Sequence, residues 1–411
     1  MRKRKAGMGK KRTVLSAAGW LLCAAMLLAG CVAGEKNTNL YERSAAGPAG
    51  IIGMKQEEES TAETGSFLYE EGLRQRLSSE QERLLLSYMD CYYASMARLS
   101  VVDVSGLFAG DAQLQARGNQ AVWEYQIGVR SAQLTDLSLA AYRYTLTCIQ
   151  IEEQEGAVRV EALEDSVQNF SAHPQVNSEV YGCHHIFTMK ESAGAWKLTG
   201  HTQWNSLYIY MTGSGNDVDT PPGEFDDLYP LRREELLSAE HAYDRAAAVA
   251  YAHQWADGRN HLWPDYTRYG GNCQNYVSQC LLAGGIPMDL DGSAVWKWYG
   301  DTPDNRGAAF GRSGSWSSVN QFAQYAESNT GYGLAARVDA PYYEGEPGDI
   351  LDLGFGGEWQ HTVLIVGTVT DEAGNTVDYL VDSNTVGQRS FPAGAYDYFQ
   401  QMLIRIYGWN E

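Results

Sequence analysis

The residues best suited to chemistry lie around Cys273. In the run Gly270-Gly271-Asn272-Cys273-Gln274-Asn275-Tyr276-Val277-Ser278-Gln279-Cys280-Leu281, the residues Cys273, Tyr276, Val277, Cys280, Leu281 and Gly284 recur with the spacing of one helix face. Asn272 is a favoured N-cap, and Gly284-Gly285 followed by Pro287 is a stop signal. Cys273 is therefore predicted in the first turn of a helix, facing the core just after a Gly-Gly turn. Exposed amides and partial positive charge at a helix start stabilise a thiolate. The same amides can donate to the oxyanion formed on acyl attack, and glycines let a substrate backbone come close. Cys280 lies two turns further on, where the dipole gives nothing, and reads as core.

A thiolate nucleophile needs a base. The C-terminal part holds His241, His253, His261 and His361. His361 opens the buried-strand pattern His361-Thr362-Val363-Leu364-Ile365-Val366-Gly367, and the other three lie in or beside the preceding helix. A base needs an orienting partner. Asp382 and Asn384 lie two apart on the strand Asp378–Asn384, so they share a face, and either is a candidate to hold the imidazole. Nothing in this set calls for a metal or a cofactor. The plain alternative is structural, since a lone Cys on an amphipathic helix usually acts as a small hydrophobe. The chain has no Gly-x-Ser-x-Gly elbow, which disfavours a serine hydrolase.

The stretch Ala242-Tyr243-Asp244-Arg245-Ala246-Ala247-Ala248-Val249-Ala250-Tyr251-Ala252, continued by Gly270 through Met288, resembles the bacterial "putative amidase domain" family. That family is similar to the papain-like wall hydrolases of the NlpC/P60 and CHAP groups. The likeness covers about 239–411 and includes Trp296–Tyr299, Ser315-Trp316, Gly348-Asp349-Ile350 and the His361 strand. It implies a papain-like domain that cleaves an amide bond in peptidoglycan or a wall peptide. In that scheme Cys273 attacks, His361 takes and returns the proton, and Asn384 or Asp382 orients the ring. The alternative is a catalytically inactive wall-binding module on the same fold. Two departures stand out: the family often has Asp where this chain has Asn272, and often His where it has Asn384. Trp296, Trp298, Tyr299, Trp316 and Trp359 are candidates to line a substrate groove, with core packing as the competing role.

Other elements must hold this site in place. From 67 to 212 the chain reads as a smaller domain. Ser79 and Glu82 form a capping-box pattern, and Leu85, Tyr88, Met89, Tyr92, Met96 and Leu99 follow with helical spacing. A second helix is predicted over Gln113–Ser131. The period then changes to two, with Tyr142, Tyr144, Leu146 and Cys148 alternating with polar residues. A Glu-Gly turn precedes Val158, and Ser192-Ala193-Gly194 marks a hairpin. Helices followed by antiparallel strands give an α+β class, similar in outline to a cystatin-like or NTF2-like cone. No motif in it carries chemistry. His184 and His185 are neighbours on a strand, face opposite sides, and so are not expected to share a metal.

The termini and the composition set the context. The 411 residues suggest two or three domains, and 44% hydrophobic with 20% charged residues is an ordinary soluble composition. Residues 1–30 read as an export signal, with a basic start and an apolar run from Val14 to Leu28. Leu28-Ala29-Gly30-Cys31 resembles a bacterial lipobox, which implies cleavage before Cys31, a lipid on its thiol, and residence on the outer face of the cytoplasmic membrane. Residues 31–66 read as a disordered tether and 213–238, with Pro221-Pro222, as a linker before the 239–411 domain. The formal charge is −20, and about −27 without the seven basic residues of the signal. That excess of acid argues against nucleic acid as a partner. Of seven cysteines, Cys23 and Cys31 belong to the signal; the other five, at irregular spacing, suit neither a disulfide framework nor a zinc motif, with one bridge among Cys91, Cys148 and Cys183 left open.

Overall fold

A computed structural model describes residues 64–73, 76–203, 238–269, 271–290, 295–302, 310–355 and 358–411. The export signal, Cys31, nearly all of the tether and most of the linker lie outside the described residues.

The first half is two helices on a sheet that is antiparallel from β2 to β5, with β1 joining β2 in parallel. Strand β1 (Gly65–Tyr69) precedes helices α1 (Ser79–Arg98) and α2 (Gln113–Ser131). Strands β2 (Leu139–Gln154), β3 (Ala157–Phe170), β4 (Ser178–Ser192) and β5 (Ala195–Gln203) follow. The alternation seen in sequence becomes a burial alternation, strictest along β3. The turns β2–β3 and β4–β5 are tight because Glu155-Gly156 and Ala193-Gly194 all adopt positive φ, which matches the twist of the strands they join. The helix cap differs by one residue from the sequence expectation. Ser78 Oγ accepts from the Gln81 amide at 3.3 Å and Gln81 Oε1 accepts from the Ser78 amide at 2.7 Å. Glu82 is occupied elsewhere, accepting from the Tyr69 hydroxyl at 2.6 Å.

The second half begins with α3 (Arg245–Trp255), capped by Asp244 on the Ala247 amide, and α4 (Cys273–Ala283). The short pair β6 (Trp298–Tyr299) and β7 (Gly311–Arg312) and helices α5 (Gly314–Ser317) and α6 (Val319–Ser328) come next. The strands are β8 (Gly333–Ala340), β9 (Ile350–Phe355), β10 (Glu358–Thr370), β11 (Thr376–Asn384), β12 (Gly387–Pro392) and β13 (Gln400–Asn410).

The two halves share one sheet, in the order β1-β2-β3-β4-β12-β11-β10-β9-β13-β8, with β5 also on β4. The junction is β12 on β4, where Gly387 faces Tyr181 and Arg389 faces Glu179. Arg389 also bonds Glu179 at 2.9 Å. The second half of the sheet is covered on both faces. Ile350, Leu364, Met402 and Ile404 join the core beneath α3, α4 and α6. Leu351, Leu353, Val363, Ile365 and Val381 join the core of the first half. Aromatic contacts carry that second union: Phe170 meets Phe391 with ring centres 5.7 Å apart, and Tyr125 meets Phe399 at 5.6 Å. The five described cysteines are all free thiols.

Candidate functional site

Helix α4 is wrapped on every side: Cys273 through Leu281 are all buried. Cys273 is its first residue and 5% exposed. Burial pushes the thiol above its usual pKa, while the Thr362 and Gln274 amides and the Thr385 hydroxyl interact with the sulfur and pull it back down. Gly271, at φ 131°, lines the approach to the thiol. A Cβ there would stand 3.5 Å from Thr385 Oγ1 and 3.9 Å from the sulfur, in a backbone conformation that disfavours any side chain. Cys280 is fully buried, and burial raises its pKa well above normal. It has the inert setting expected of a core cysteine.

Asn272 does not cap α4 with its side chain. Its Oδ1 accepts from the Tyr266 amide at 3.0 Å and from Asn275 Nδ2 at 3.0 Å, and its Nδ2 donates to Asn384 Oδ1 at 2.7 Å. Asn384 Nδ2 then donates to the carbonyls of Trp255, at 2.6 Å, and Gly258, at 2.8 Å. The two positions that depart from the family pattern are thus in direct contact. They tie the start of α4 to the end of β11 and to the exit of α3. Asn384 holds this backbone junction, not an imidazole.

Strand register decides which side chains face the thiol. Across β9 and β10, His361 pairs with Leu353, Thr362 with Asp352, Val363 with Leu351 and Leu364 with Ile350. Successive strand residues alternate faces. Thr362 and Asp352 therefore look toward α4 with Leu364, and His361 looks the other way with Val363. His361 stacks on Tyr398 at 5.9 Å and 15°, and it lies 5.9 Å from Tyr396. It is 7% exposed, and burial lowers its pKa to about 4, so it is a neutral ring inside the core shared with the first half. The expected contact between His361 and Cys273 is absent, because the strand phase puts a layer of sheet between them.

The second candidate orienter is also committed elsewhere. Asp382 is fully buried, accepts from the Ser390 amide at 2.7 Å, and lies 2.7 Å from His253 Nδ1. That contact raises the His253 pKa. Asp382 does share the α4 face with Asn384, as the two-residue spacing requires, but near Cys280 and Tyr276.

One group facing the thiol went unnoticed in the sequence. Asp352 is fully buried with no hydrogen-bond partner for either carboxylate oxygen. Burial raises its pKa to about 8, with Thr362 pulling slightly the other way. It lies close enough to Cys273 for its charge to raise the thiol pKa. The available signal was an acid interrupting the apolar run Ile350-Leu351-Asp352-Leu353. Of the proposed groove aromatics, Trp296 and Trp316 are fully buried and lie tilted against each other in the core, with ring centres 4.9 Å apart. Trp298 Nε1 donates to the Tyr266 hydroxyl at 2.8 Å, and Tyr299 is 45% exposed.

Comparison with known proteins adds the following. Over 200 residues the chain is 27% identical to the uncharacterized protein YhbB of Bacillus subtilis (strain 168); the match spans 45% of this chain and 60% of that protein, less than two thirds of its length. Three solved structures align with about a third of the chain. A putative aromatic ring hydroxylase and a putative scytalone dehydratase from Novosphingobium aromaticivorans each show 13% identity and a TM-score of 0.21. They are covered over 90% and 85% of their lengths, against 31% and 30% of this chain. The intermembrane-space region of the chloroplast protein ARC6 shows 15% identity and a TM-score of 0.22, over all of that chain and 32% of this one. Scores this low carry no argument about fold. The family model described as "Putative amidase domain" matches residues 242–406, on the same helix and strands that surround Cys273. The likeness to that family is thus confined to the C-terminal part of this chain, residues 242–406.

Proposed function

We propose that this C-terminal part is a cysteine amidase on a papain-like framework, with Cys273 as nucleophile. The observation that carries the proposal is the position of the thiol, at the first residue of a buried helix and in contact with the Gln274 and Thr362 amides. Those amides suit the thiolate that forms as the proton leaves and the oxyanion that forms after attack.

The proton acceptor in this reading is Asp352 rather than His361. It shares the face and the surroundings of Cys273, and burial raises its pKa to about 8, which makes it a far stronger proton acceptor than an ordinary carboxylate. The sulfur attacks the amide carbon, its proton passes to the Asp352 carboxylate, and the same proton returns to the leaving amine. Water then cleaves the thioester and frees the thiol. Asn384 and Asp382 act at one remove, by fixing the start of α4 and the position of β11.

The lipobox-like Leu28-Ala29-Gly30-Cys31 supports an outward-facing protein held by a lipid on Cys31. Such a location suits peptidoglycan, either a stem-peptide bond or the sugar–peptide amide. A second reading is a module that binds wall peptides without cutting them. It is favoured by the raised thiol pKa and by the position of His361 behind the sheet.

Digestion of purified wall fragments, with products weighed by mass spectrometry, separates the two readings. Amide cleavage by the wild type and none by Cys273→Ser is the expected result. Fragment binding without new products, together with a Cys273 that ignores a thiol probe at neutral pH, would establish the binding module.

A further inference from the structure

The first half holds a buried polar cluster that the amidase reading does not use. Cys183 and His185 lie two apart on β4 and so share a face, and Glu164 on β3 stands directly across from Cys183. All three are buried, at 3% exposure or less for Cys183, His185 and Glu164 alike. One ligand atom from each, a sulfur, an imidazole nitrogen and a carboxylate oxygen, lies within 4.8 Å of the others. His184 points away and bonds Glu161 at 3.0 Å on the opposite face. The phase argument from sequence was sound for the His pair, but it did not see that His185 meets two other donors.

Six buried side chains link into one chain of hydrogen bonds that ends at this cluster. Asn119 Nδ2 donates to the Tyr88 hydroxyl at 3.0 Å, and that hydroxyl lies 2.8 Å from His201 Nδ1. His201 Nε2 lies 3.0 Å from His185 Nδ1, and His185 Nε2 lies 2.8 Å from Glu164 Oε2. Tyr93 donates its hydroxyl to the other Glu164 oxygen. Gln203 Nε2 donates to Cys183 Sγ at 2.8 Å. Among the described residues the ion-pair partner of Glu164 is His185, so a buried carboxylate and a thiol adjoin without a fixed cation.

We propose that Glu164, Cys183 and His185 form a binding site for a zinc-class divalent transition metal. One thiolate, one imidazole and one carboxylate make a donor set such an ion accepts, with three protein ligands leaving a fourth position for water or a small ligand. Binding would use His185 Nε2 and leave that ring's proton on Nδ1, facing His201. The His201–Tyr88–Asn119 chain would then orient the ligand ring, as outer partners of metal-bound histidines do. The Cys183 thiol gives up its proton to solvent as the sulfur–metal bond forms, so one proton leaves per metal bound.

The test uses the full chain, freed of metal by chelator and titrated with Zn²⁺ or Co²⁺. One equivalent should bind, and the Co²⁺ form should show a thiolate-to-cobalt charge-transfer band in the near ultraviolet. Cys183→Ser should abolish that band and Glu164→Gln should weaken binding at least tenfold. His201→Phe should weaken it about ten- to a hundred-fold. Cys280→Ser should leave the cobalt band and the metal affinity unchanged, which separates this site from the helix α4 thiols. A band that survives Cys183→Ser, or no band at all, shows the cluster to be a hydrogen-bonded core and overturns the proposal. If Cys183→Ser does not fold, the wild type still decides: its melting temperature must rise with added Zn²⁺ and fall back with chelator.

Discussion

At the residue scale, the two cysteines of α4 make opposite predictions. Cys273→Ser should lower amide hydrolysis by at least about a thousand-fold, because a hydroxyl does not replace the thiolate nucleophile. Cys280→Ser should keep activity and lose about 1–3 kcal/mol of stability by burying a hydroxyl among apolar neighbours, read as a lower melting temperature. The base is decided by a second pair. Asp352→Asn should reduce turnover by about a hundred- to ten-thousand-fold, and His361→Phe should leave it within a few-fold, since that ring stacks on Tyr398 behind the sheet. Steady-state rates of both variants from pH 5 to 9 settle the matter. A crippled His361→Phe beside an active Asp352→Asn would give the role back to the imidazole.

At the scale of elements, the junction of α3, α4 and β11 rests on the two asparagines. Asn384→Ala would leave Asn272 Nδ2 and the Trp255 and Gly258 carbonyls without their bonds. Buried groups of this kind cost about 2–3 kcal/mol in sum when abandoned, so the variant should unfold at lower denaturant. Any loss of turnover should track misplacement of Cys273. Raising KM and lowering kcat together would be the mark of a displaced helix start, whereas a shifted pH profile would mark Asn384 as an electrostatic partner. The Asn272 side chain shows why helix-start rules read from sequence are incomplete. The residue type suits an N-cap, yet its oxygen is taken by Tyr266 and Asn275, which the chain brings in from either side. The Ser78 cap shifts by one residue for a similar reason, since Glu82 is drawn off by Tyr69.

At the scale of the whole molecule, two facts bear on stability. The first half covers one face of the second half's sheet through Phe170, Tyr125 and Gln126, which bonds Asp397 at 2.9 Å. Residues 239–411 expressed alone should therefore expose Leu351, Leu353, Val363 and Ile365 and aggregate, a result read by size-exclusion chromatography. A soluble, monomeric 239–411 fragment would mean that the cover is dispensable. The second fact is a pair of opposing titrations. His361 falls from its usual 6.5 to about 4, so the unfolded chain binds the extra proton and stability drops as pH falls through that window. Asp352 rises from 3.8 to about 8 and Asp378 from 3.8 to about 6, so the folded chain keeps those protons and stability drops as pH rises toward 8. The windows overlap, and the two carboxyls outweigh the single imidazole, so these three groups together make stability fall as pH rises toward 8. Asp352→Asn should remove up to about 6 kcal/mol of that fall, and His361→Phe should steepen it below pH 6.5, both measurable by denaturant titration over pH.

Local physics settled a good deal in advance. The helix predicted over Gln113–Ser131 spans those residues, the turns at Glu155-Gly156 and Ala193-Gly194 lie where their residue types allow positive φ, and the strand of His361 pairs with that of Asp382. Cys273 opens α4, since Gly271 before it and Gly284-Gly285 after it bound the helix without long-range help. Period two also put Asp382 and Asn384 on one face. Only the tertiary structure decided which face of the sheet each strand residue shows to the thiol. A strand pattern that is apolar on both sides carries no mark of front and back, so nothing in the sequence showed that Asp352 and not His361 faces the thiol. The same holds for Glu164, Cys183 and His185. They are cross-strand neighbours separated by at least nineteen positions between β3 and β4, and such pairing is written in the register of the sheet rather than in any local spacing.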